Sequence, residues 1–459
     1  MLLFSVLAIN GHTLNSFQKG IDLTNKNINN LDNKDYSRER AVFNELSGFG
    51  VTMAEAHRIY DRRFFDRFVH ENQQMHYYQE ASSSLDTIQN IFNDIHGTGF
   101  AKDMDAYYHA LNDIIAEPEN IPARTNFLEK AKVLVSKFKG SYEALQNEKT
   151  NLQQSMQQDI ETLNRLTSSL AKINQKIAGQ PSTLVPDQEK RNTLLNQRDK
   201  LIKQISSMID TKVRYNPNGT ADLFSAKGHA LVVADKHFKL SFEKEEKDLG
   251  NGLSTYSIKI QIGGVELSDE IKSGKLGAKL QIQENIDDTT QKLNSLVIAF
   301  AKKQNEVHKT GYDLNDTQGQ ALFAPDDNTL NISTIQVAIT DPKKIAASST
   351  QGTPSNNEVA KNLLATQKEP ISDLEDRTFH DYYAQMVAAL GAQKSYMESM
   401  SEQSAQMVDA IDRKLQEIGG VNLDEELVNL TQLQRSYQAS ARVLSVTDEL
   451  LQTVMNIIR

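Results

Sequence analysis

Residues able to act on a substrate are present in this chain, but their spacing builds no reaction centre. Its 10 histidines are dispersed, and His70 and His76 are too far apart in sequence to share a metal from one helix face, which needs i, i+3 or i, i+4 spacing. Gly48-Phe49-Gly50 and Gly97-Thr98-Gly99 lack the third glycine and the strand-turn-helix setting of a dinucleotide loop, and no Gly-Lys-Ser/Thr follows any glycine cluster. They read as turns. Asp313-Leu314-Asn315-Asp316-Thr317 starts like a calcium loop, yet Gln318 stands where the sharp bend needs glycine and Ala324 where the bidentate glutamate belongs. Carboxylate pairs such as Asp103 and Asp105 are common on solvated faces of acidic chains and nominate no acid and base. The sequence therefore predicts no catalytic residue, no metal ligand and no cofactor, and the chain reads as a non-enzyme.

Composition excludes further classes. At 459 residues the chain has room for several domains, and Lys+Arg 50 against Asp+Glu 60 gives net charge -10. That balance opposes a grip on phosphate backbones or anionic bilayers, so neither nucleic acid nor membrane is an expected partner. With no cysteine there are no disulfides, thiolate metal sites or thiol nucleophiles. No tryptophan, 9 prolines and 24% charged residues favour long helices over many turns. The apolar stretch from Leu2 to Ile9 has no Lys or Arg before it and runs into Asn10-Gly11-His12 without a small-residue cleavage pattern, so no cleaved signal peptide is expected. No run approaches the roughly 18 apolar residues of a membrane span.

The elements that position whatever function there is lie at the two ends. Leu3, Leu7, Asn10, Leu14, Phe17, Ile21, Thr24, Ile28 and Leu31 recur at alternating steps of four and three, most of them apolar. The same steps select Leu423, Leu427, Leu430, Gln434, Tyr437, Ala441, Leu444, Asp448, Leu451, Met455 and Ile458. Gly419-Gly420 breaks the preceding helix, and Asn422 followed by Asp424-Glu425-Glu426 suits a helix N-terminus. These seams can be core faces of a helical domain, or self-association faces in which the polar Asn10, Thr24, Gln434 and Asp448 fix register.

Between the ends, helices are predicted from about 66 to 115, over 125–177 and after Pro186. From Thr211 to Ile282 the period falls to two, with Asn216-Pro217-Asn218-Gly219 as a turn and Tyr256 to Ile262 alternating before Gly263-Gly264. Helix returns over 283–309, loops with short strands fill 311–345, and helices follow from about 357 to 418. The fold expected is mainly α with an inserted β domain (α+β): an elongated helical rod built from both termini, with a small β domain projecting from it. Its parts are coiled-coil-like assembly segments at 1–40 and 420–459, a helical rod domain at 41–208 and 283–419, and the β insert at 209–282.

Several local motifs carry a resemblance. Asn27, Ile28, Asn30, Tyr36, Ser37 and Arg38 match a stretch near the N-terminus of the flagellar rod, hook and hook-associated proteins, with Lys34-Asp35 replacing the Pro-Gly turn found there. Gly48-Phe49-Gly50-Val51 with Arg58, Asp61 and Phe64 is similar to the next element. Gly420-Val421-Asn422-Leu423-Asp424-Glu425-Glu426, Tyr437-Gln438-Ala439-Ser440-Ala441-Arg442 and Asp448-Glu449-Leu450-Leu451 give the strongest likeness. Segments 274–280, 305–323 and 341–348 also resemble the middle of these proteins. Within the group, the chain resembles the hook-associated protein 1 family of the hook-filament junction.

That resemblance implies a structural component of the bacterial flagellum, a junction adaptor joining hook to filament as a ring of about eleven subunits. Implied partners are further copies of itself, the hook protein, the filament-side hook-associated protein, and an export chaperone binding the C-terminal helix. Implied too is an extracellular place on the flagellum, reached by type III export without a cleaved signal peptide. The residues expected at the assembly interface are Leu7, Leu14, Phe17, Ile21, Asn27, Ile28 and Asn30, with Leu423, Leu427, Leu430, Tyr437, Ala441, Leu444 and Leu451. The alternatives are another axial flagellar protein, either the filament-side hook-associated protein or a flagellin, and more remotely a surface adhesin or binding module.

Overall fold

A computed structural model describes residues 2–46, 50–92, 99–180 and 185–457. Gly48 with Phe49, Gly97 with Thr98, Pro181 and Ile458 lie outside the described residues, as does the side chain of Leu3. The fold is mainly helical with small antiparallel sheets. It divides into two compact units, one of Met1–His76, Glu161–Leu240 and Glu402–Arg459, the other of Tyr77–Ile160 and Ser241–Ser401.

The first unit contains α1 (Leu2–Asn29), the hairpin of β1 (Glu39–Leu46) and β2 (Gly50–Arg58), α5 (Val185–Met208), and α9 (Leu423–Ile457). Helix α1 packs on both hairpin strands and on α9. Gly50 is required where β2 crosses α1, since a Cβ there would stand 2.3 Å from Thr13 Oγ1. A four-stranded sheet follows α5 in the order β3 (Lys212–Tyr215), β4 (Ala221–Phe224), β5 (Ala230–Val233) and β6 (Lys236–His237). Its first turn is the expected one at 216–219: Gly219 takes φ +84°, and Arg198 of α5 donates to its carbonyl at 2.5 Å.

The second unit is organised around α6 (Gly274–His308), which is buried on nearly every face, as an internal helix must be. Aromatic rings seal it: Phe300 lies within 5.4–6.5 Å of Tyr107, Tyr108, Phe138, Phe323 and Phe379. Around it stand α3 (Phe100–Ala116), α7 (Glu358–Ala365) and the three-stranded sheet of β7 (Leu240–Asp248), β8 (Ser254–Ile262) and β9 (Val265–Glu266). The short pair β10 (Phe323–Ala324) and β11 (Gln336–Val337) lies farther along the chain.

Helices α2 (Arg62–Ile91), α4 (Ile121–Gly179) and α8 (Phe379–Gly419) supply residues to both units. Helix α4 runs 59 residues, about 88 Å at 1.5 Å per residue. Its buried Ala131, Phe138, Leu145 and Leu152, then Met156, Leu163, Leu170 and Ile177, recur every seven positions.

Two findings differ from the sequence expectation. The strands between 209 and 282 form two separate sheets, and α6 already begins at Gly274, where Ser273 precedes it in extended conformation. The hairpin β1–β2 lies in a region read as helical rod; its alternation is short and carried partly by Met53 and Ala56, which are weak strand formers but are buried here.

Candidate assembly surface of the terminal helices

Helix α9 begins where its sequence says it should. Asn422 Oδ1 accepts from the Asp424 amide at 3.0 Å, capping the first turn, and three acidic residues sit at the positive end of the helix dipole. Helix α8 ends at Gly419, whose carbonyl accepts from the Arg38 amide at 2.7 Å; a Cβ on Gly419 would meet the Ile59 carbonyl at 2.7 Å.

This junction brings the two terminal motifs together. Asn27 is 1% exposed, and its Nδ2 donates to the Glu39 carbonyl at 2.8 Å and to Glu426 Oε2 at 3.0 Å, a partner 399 residues away. Its Oδ1 accepts from the Tyr36 hydroxyl at 2.7 Å and from the Glu39 amide at 3.1 Å. All four bonding positions of the amide are thereby used. Arg38 pairs with Glu425 and Glu426, and Lys26 with the buried Glu39, which also accepts from Asn192 of α5. Burial, reinforced by Glu39, Glu426 and Glu189, pushes the Tyr36 phenol far above its ordinary range, keeping it a donor. Burial also raises the Glu426 carboxyl, opposed by the Asn27 bond and by Arg38.

A second polar knot fixes the rest of the motif. Arg58 donates to Asn196 at 2.8 Å, Ser37 at 3.1 Å and Asp199 at 2.7 Å, and its guanidinium stacks 4.4 Å from the Tyr60 ring centre. Motif residues Asn27, Tyr36, Ser37, Arg38, Arg58 and Glu426 thus hold the entry to the α1–α9 pair by hydrogen bonds to one another and to α5.

Beyond the knot α1 buries mostly small and polar side chains, Gly20 against Leu433 of α9 and Thr13 against the hairpin, while Leu23 joins Met53, Ala56 and Val185. Asn10, Thr13, Ser16, Thr24 and Asn27 of α1 are buried, whereas the predicted Leu7, Leu14, Phe17, Ile21, Ile28 and Asn30 are only half-buried. Phe17 stacks on Phe43 of β1, their centroids 5.7 Å apart. On α9 the predicted Leu430, Tyr437, Ala441, Leu444 and Leu451 are half-buried, while Leu423 and Leu427 are exposed. Leu433 and Ser440 are half-buried as well, and Thr447 is buried; these three alternate with the column Leu430, Tyr437, Leu444 and Leu451. Buried Ser16, Thr24 and Thr447 satisfy their hydroxyls on their own helices, bonding to the carbonyls of His12, Gly20 and Val443. Leu427, Val428, Val443, Val446, Leu450, Val454 and Met455 all face solvent. These exposed residues escaped the heptad reading because only Leu427 and Met455 stand on its columns.

Of the residues screened for chemistry, Asp313 and Asp316 are taken up by loop hydrogen bonds. Asp313 accepts from the amides of Asn315 and Thr317 at 2.7 and 2.9 Å, and Asp316 from the Gly352 amide at 2.7 Å. Among the described residues, no group of three or more His, Asp or Glu is placed to hold a metal, and no helix is long and apolar enough to cross a membrane.

The sequence family described as flagellar hook-associated protein FlgK helical domain matches residues 85–323, just over half of the chain. The chain belongs to this FlgK family. A second family, flagellar basal body rod FlgEFG protein C-terminal, matches residues 413–457, the segment holding the α8–α9 junction. Flagellar hook-associated protein 1 of Bacillus subtilis is 27% identical over 497 aligned residues, covering 96% of each chain. Its namesake in Escherichia coli is 22% identical, covering 97% of this chain and 98% of that one. The solved flagellar hook junction protein FlgK of Burkholderia pseudomallei has a similar fold, with TM-score 0.66 at 13% identity over 77% of this chain and 100% of that chain. Membership of the FlgK family makes the chain a structural, hook-associated component of the bacterial flagellum.

Proposed function

We propose that this chain joins hook to filament as an adaptor, a closed ring of about eleven copies assembled through α1 and α9. The observation that carries the reading is the row of bulky apolar residues left in solvent along α9, a helix already paired with α1. An isolated chain has no reason to present such a row, and a neighbour that covers it removes that surface from water. Segments 1–40 and 420–459 are assigned to assembly, 41–208 and 283–419 to the helical rod and 209–282 to the β insert, less 274–282, which belongs to α6. The hook protein and the filament-side hook-associated protein are the partners on either side. An export chaperone holds α9 before assembly, and the chain leaves the cell through the flagellar export route without a cleaved signal.

The test is made in the bacterium that encodes the chain. Removing 423–457 leaves hooks bearing no filament, with filament subunits released into the medium. Filaments of normal length on such cells would overturn the reading. Amide exchange on the purified monomer gives a second measure. Amides near Asn27 and Glu426 are protected, those of 5–14 and 443–456 exchange faster, and assembly slows the latter.

A further inference from the structure

Three Asn-Gly pairs occur in the sequence, Asn10-Gly11, Asn218-Gly219 and Asn251-Gly252. In such a pair the glycine nitrogen can attack the preceding side-chain amide, because no Cβ on the second residue stands in the way. The attack needs a backbone N–H that is not already donating and a side chain free to swing toward it. The fold meets these conditions at one pair and denies them at the other two.

Asn10 is 6% exposed, and its Nδ2 donates to the Val6 carbonyl at 3.0 Å. Gly11 lies inside α1, where its amide belongs to the helix ladder. Asn218 is exposed but pinned: its Oδ1 accepts from the Thr220 amide at 3.1 Å and the Thr220 hydroxyl at 2.8 Å. The Gly219 amide in turn donates to the Asn216 carbonyl at 2.9 Å.

Asn251 stands in the turn between β7 and β8, where Gly250, Asn251 and Gly252 all take positive φ, 90°, 52° and 72°. It is exposed, and among the described residues neither its side-chain amide nor the Gly252 amide has a hydrogen-bond partner. Both glycines face open space, so the side chain has room to move. The turn is held from outside, by Leu249 donating to the Leu253 carbonyl at 2.8 Å and Leu253 to the Gly250 carbonyl at 3.0 Å. Asn331 Nδ2 donates to the Asn251 carbonyl at 3.1 Å, which draws electron density from the peptide group whose nitrogen must lose its proton.

We propose that Asn251 is a site of spontaneous deamidation, selected from the three pairs by the fold. The Gly252 nitrogen loses its proton to solvent and bonds to Asn251 Cγ; the Cγ–Nδ2 bond breaks, and the departing nitrogen takes up protons from solvent and leaves as ammonia. Water then opens the resulting succinimide at either carbonyl, giving aspartate or isoaspartate, with no change of oxidation state. Either product adds a negative charge near Asp248. Isoaspartate also routes the backbone through the side chain, lengthening the turn and shifting the carbonyl that Asn331 holds. Asn331 is 4% exposed and accepts from the Ser333 and Thr334 amides at 3.0 and 3.1 Å, so the change reaches the loop beyond α6. Conversion accumulates with time, and the turn thereby records the age of the molecule.

The full-length chain is held for days at mildly alkaline pH, folded and in urea, and peptide mass spectrometry follows each pair. In the folded chain Asn251 converts at least about tenfold faster than Asn10 and Asn218, and in urea, where the pinning bonds are gone, the three rates fall within about threefold of one another. Asn10 or Asn218 keeping pace with Asn251 in the folded chain would overturn the proposal, as would an Asn251 that reacts only in urea. Rates that stay apart in urea would place the selectivity in local sequence and overturn the role given to the fold. Gly252→Ala, whose Cβ obstructs ring closure, stops conversion at 251; continued conversion would exclude the succinimide route. Alanine is strained at this φ, and the comparison within the unmodified chain decides the matter if that variant folds poorly.

Discussion

The core around α6 and the α1–α9 pair solve opposite problems with similar helices. Around α6, Tyr107, Phe127, Phe138, Phe300 and Phe323 are all fully buried, and the polar groups among them are paired: Tyr107 donates to Gln304 at 2.9 Å, and Gln304 to Thr366 at 2.6 Å. That core is finished within one chain. The α1–α9 pair instead buries Asn10, Thr13, Ser16 and Thr447 and leaves Val443, Val446 and Leu450 outside. The two regions differ in what they leave in water: the α6 core encloses its large apolar side chains, and α9 leaves a row of them exposed.

Substitutions should widen or close that contrast. Largest is Phe300→Ala, which removes the ring shared by five aromatic neighbours and costs about 3–5 kcal/mol in urea unfolding. A loss under about 1 kcal/mol would mean the core is less tightly packed than its contacts indicate.

Next comes His308, buried in the same unit. One ring nitrogen bonds the Gln320 carbonyl at 2.6 Å and the other accepts from the Ala346 amide at 2.8 Å, an arrangement only the neutral imidazole can make. Burial pushes its pKa down from 6.5 to about 4. Because the unfolded chain binds this proton more readily, the contribution is complete above pH 6.5 and is lost as pH falls toward 4, about 3 kcal/mol in all. Urea midpoints at pH 7.5 and 4.5 measure it, and His308→Gln should flatten that part of the slope. An unchanged slope would place the pH sensitivity elsewhere.

Asn27→Ala acts on the other region. It leaves Tyr36, the Glu39 amide and Glu426 without their partner and costs about 2–3 kcal/mol, confined to the terminal pair. Hydrogen exchange should quicken over 20–40 and 423–433 with the α6 core unaffected. Equal quickening in both units would dissolve the distinction between them. Smallest is Gly11→Ala, a helix-interior glycine with open space around it, which should stabilise α1 by up to about 1 kcal/mol. Thermal unfolding of the terminal pair reads this gain.

Much of this architecture is legible in the sequence where apolar period and turn chemistry agree. Gly419-Gly420 and Asn422 mark the α8–α9 boundary, Asn216 to Gly219 marks a hairpin turn, and the alternation of β8 shows in its burial. The face used by α1 was not legible in the same way. A search for apolar repeats passes over Thr13, Ser16 and Gly20, which are inside because small side chains leave room for neighbours, Leu433 and Phe43 at Gly20 and the hairpin at Thr13. Motif likeness points to Asn27 as an assembly residue, and its place inside one chain depends on Tyr36, Glu39 and Glu426 arriving together. The site of His308 depends on the Gln320 carbonyl and the Ala346 amide, in loops that carry no periodic signal.

The bond from Asn27 to Glu426 also sets an order in time. A chain made from its N-terminus presents α1 first, and α1 has no α9 to pair with until nearly the whole sequence has followed. Contacts this remote in sequence form late, after local helices and the α6 core have had the opportunity to fold. The seal between the ends thus marks completion: an interrupted chain can fold its middle but cannot close its ends.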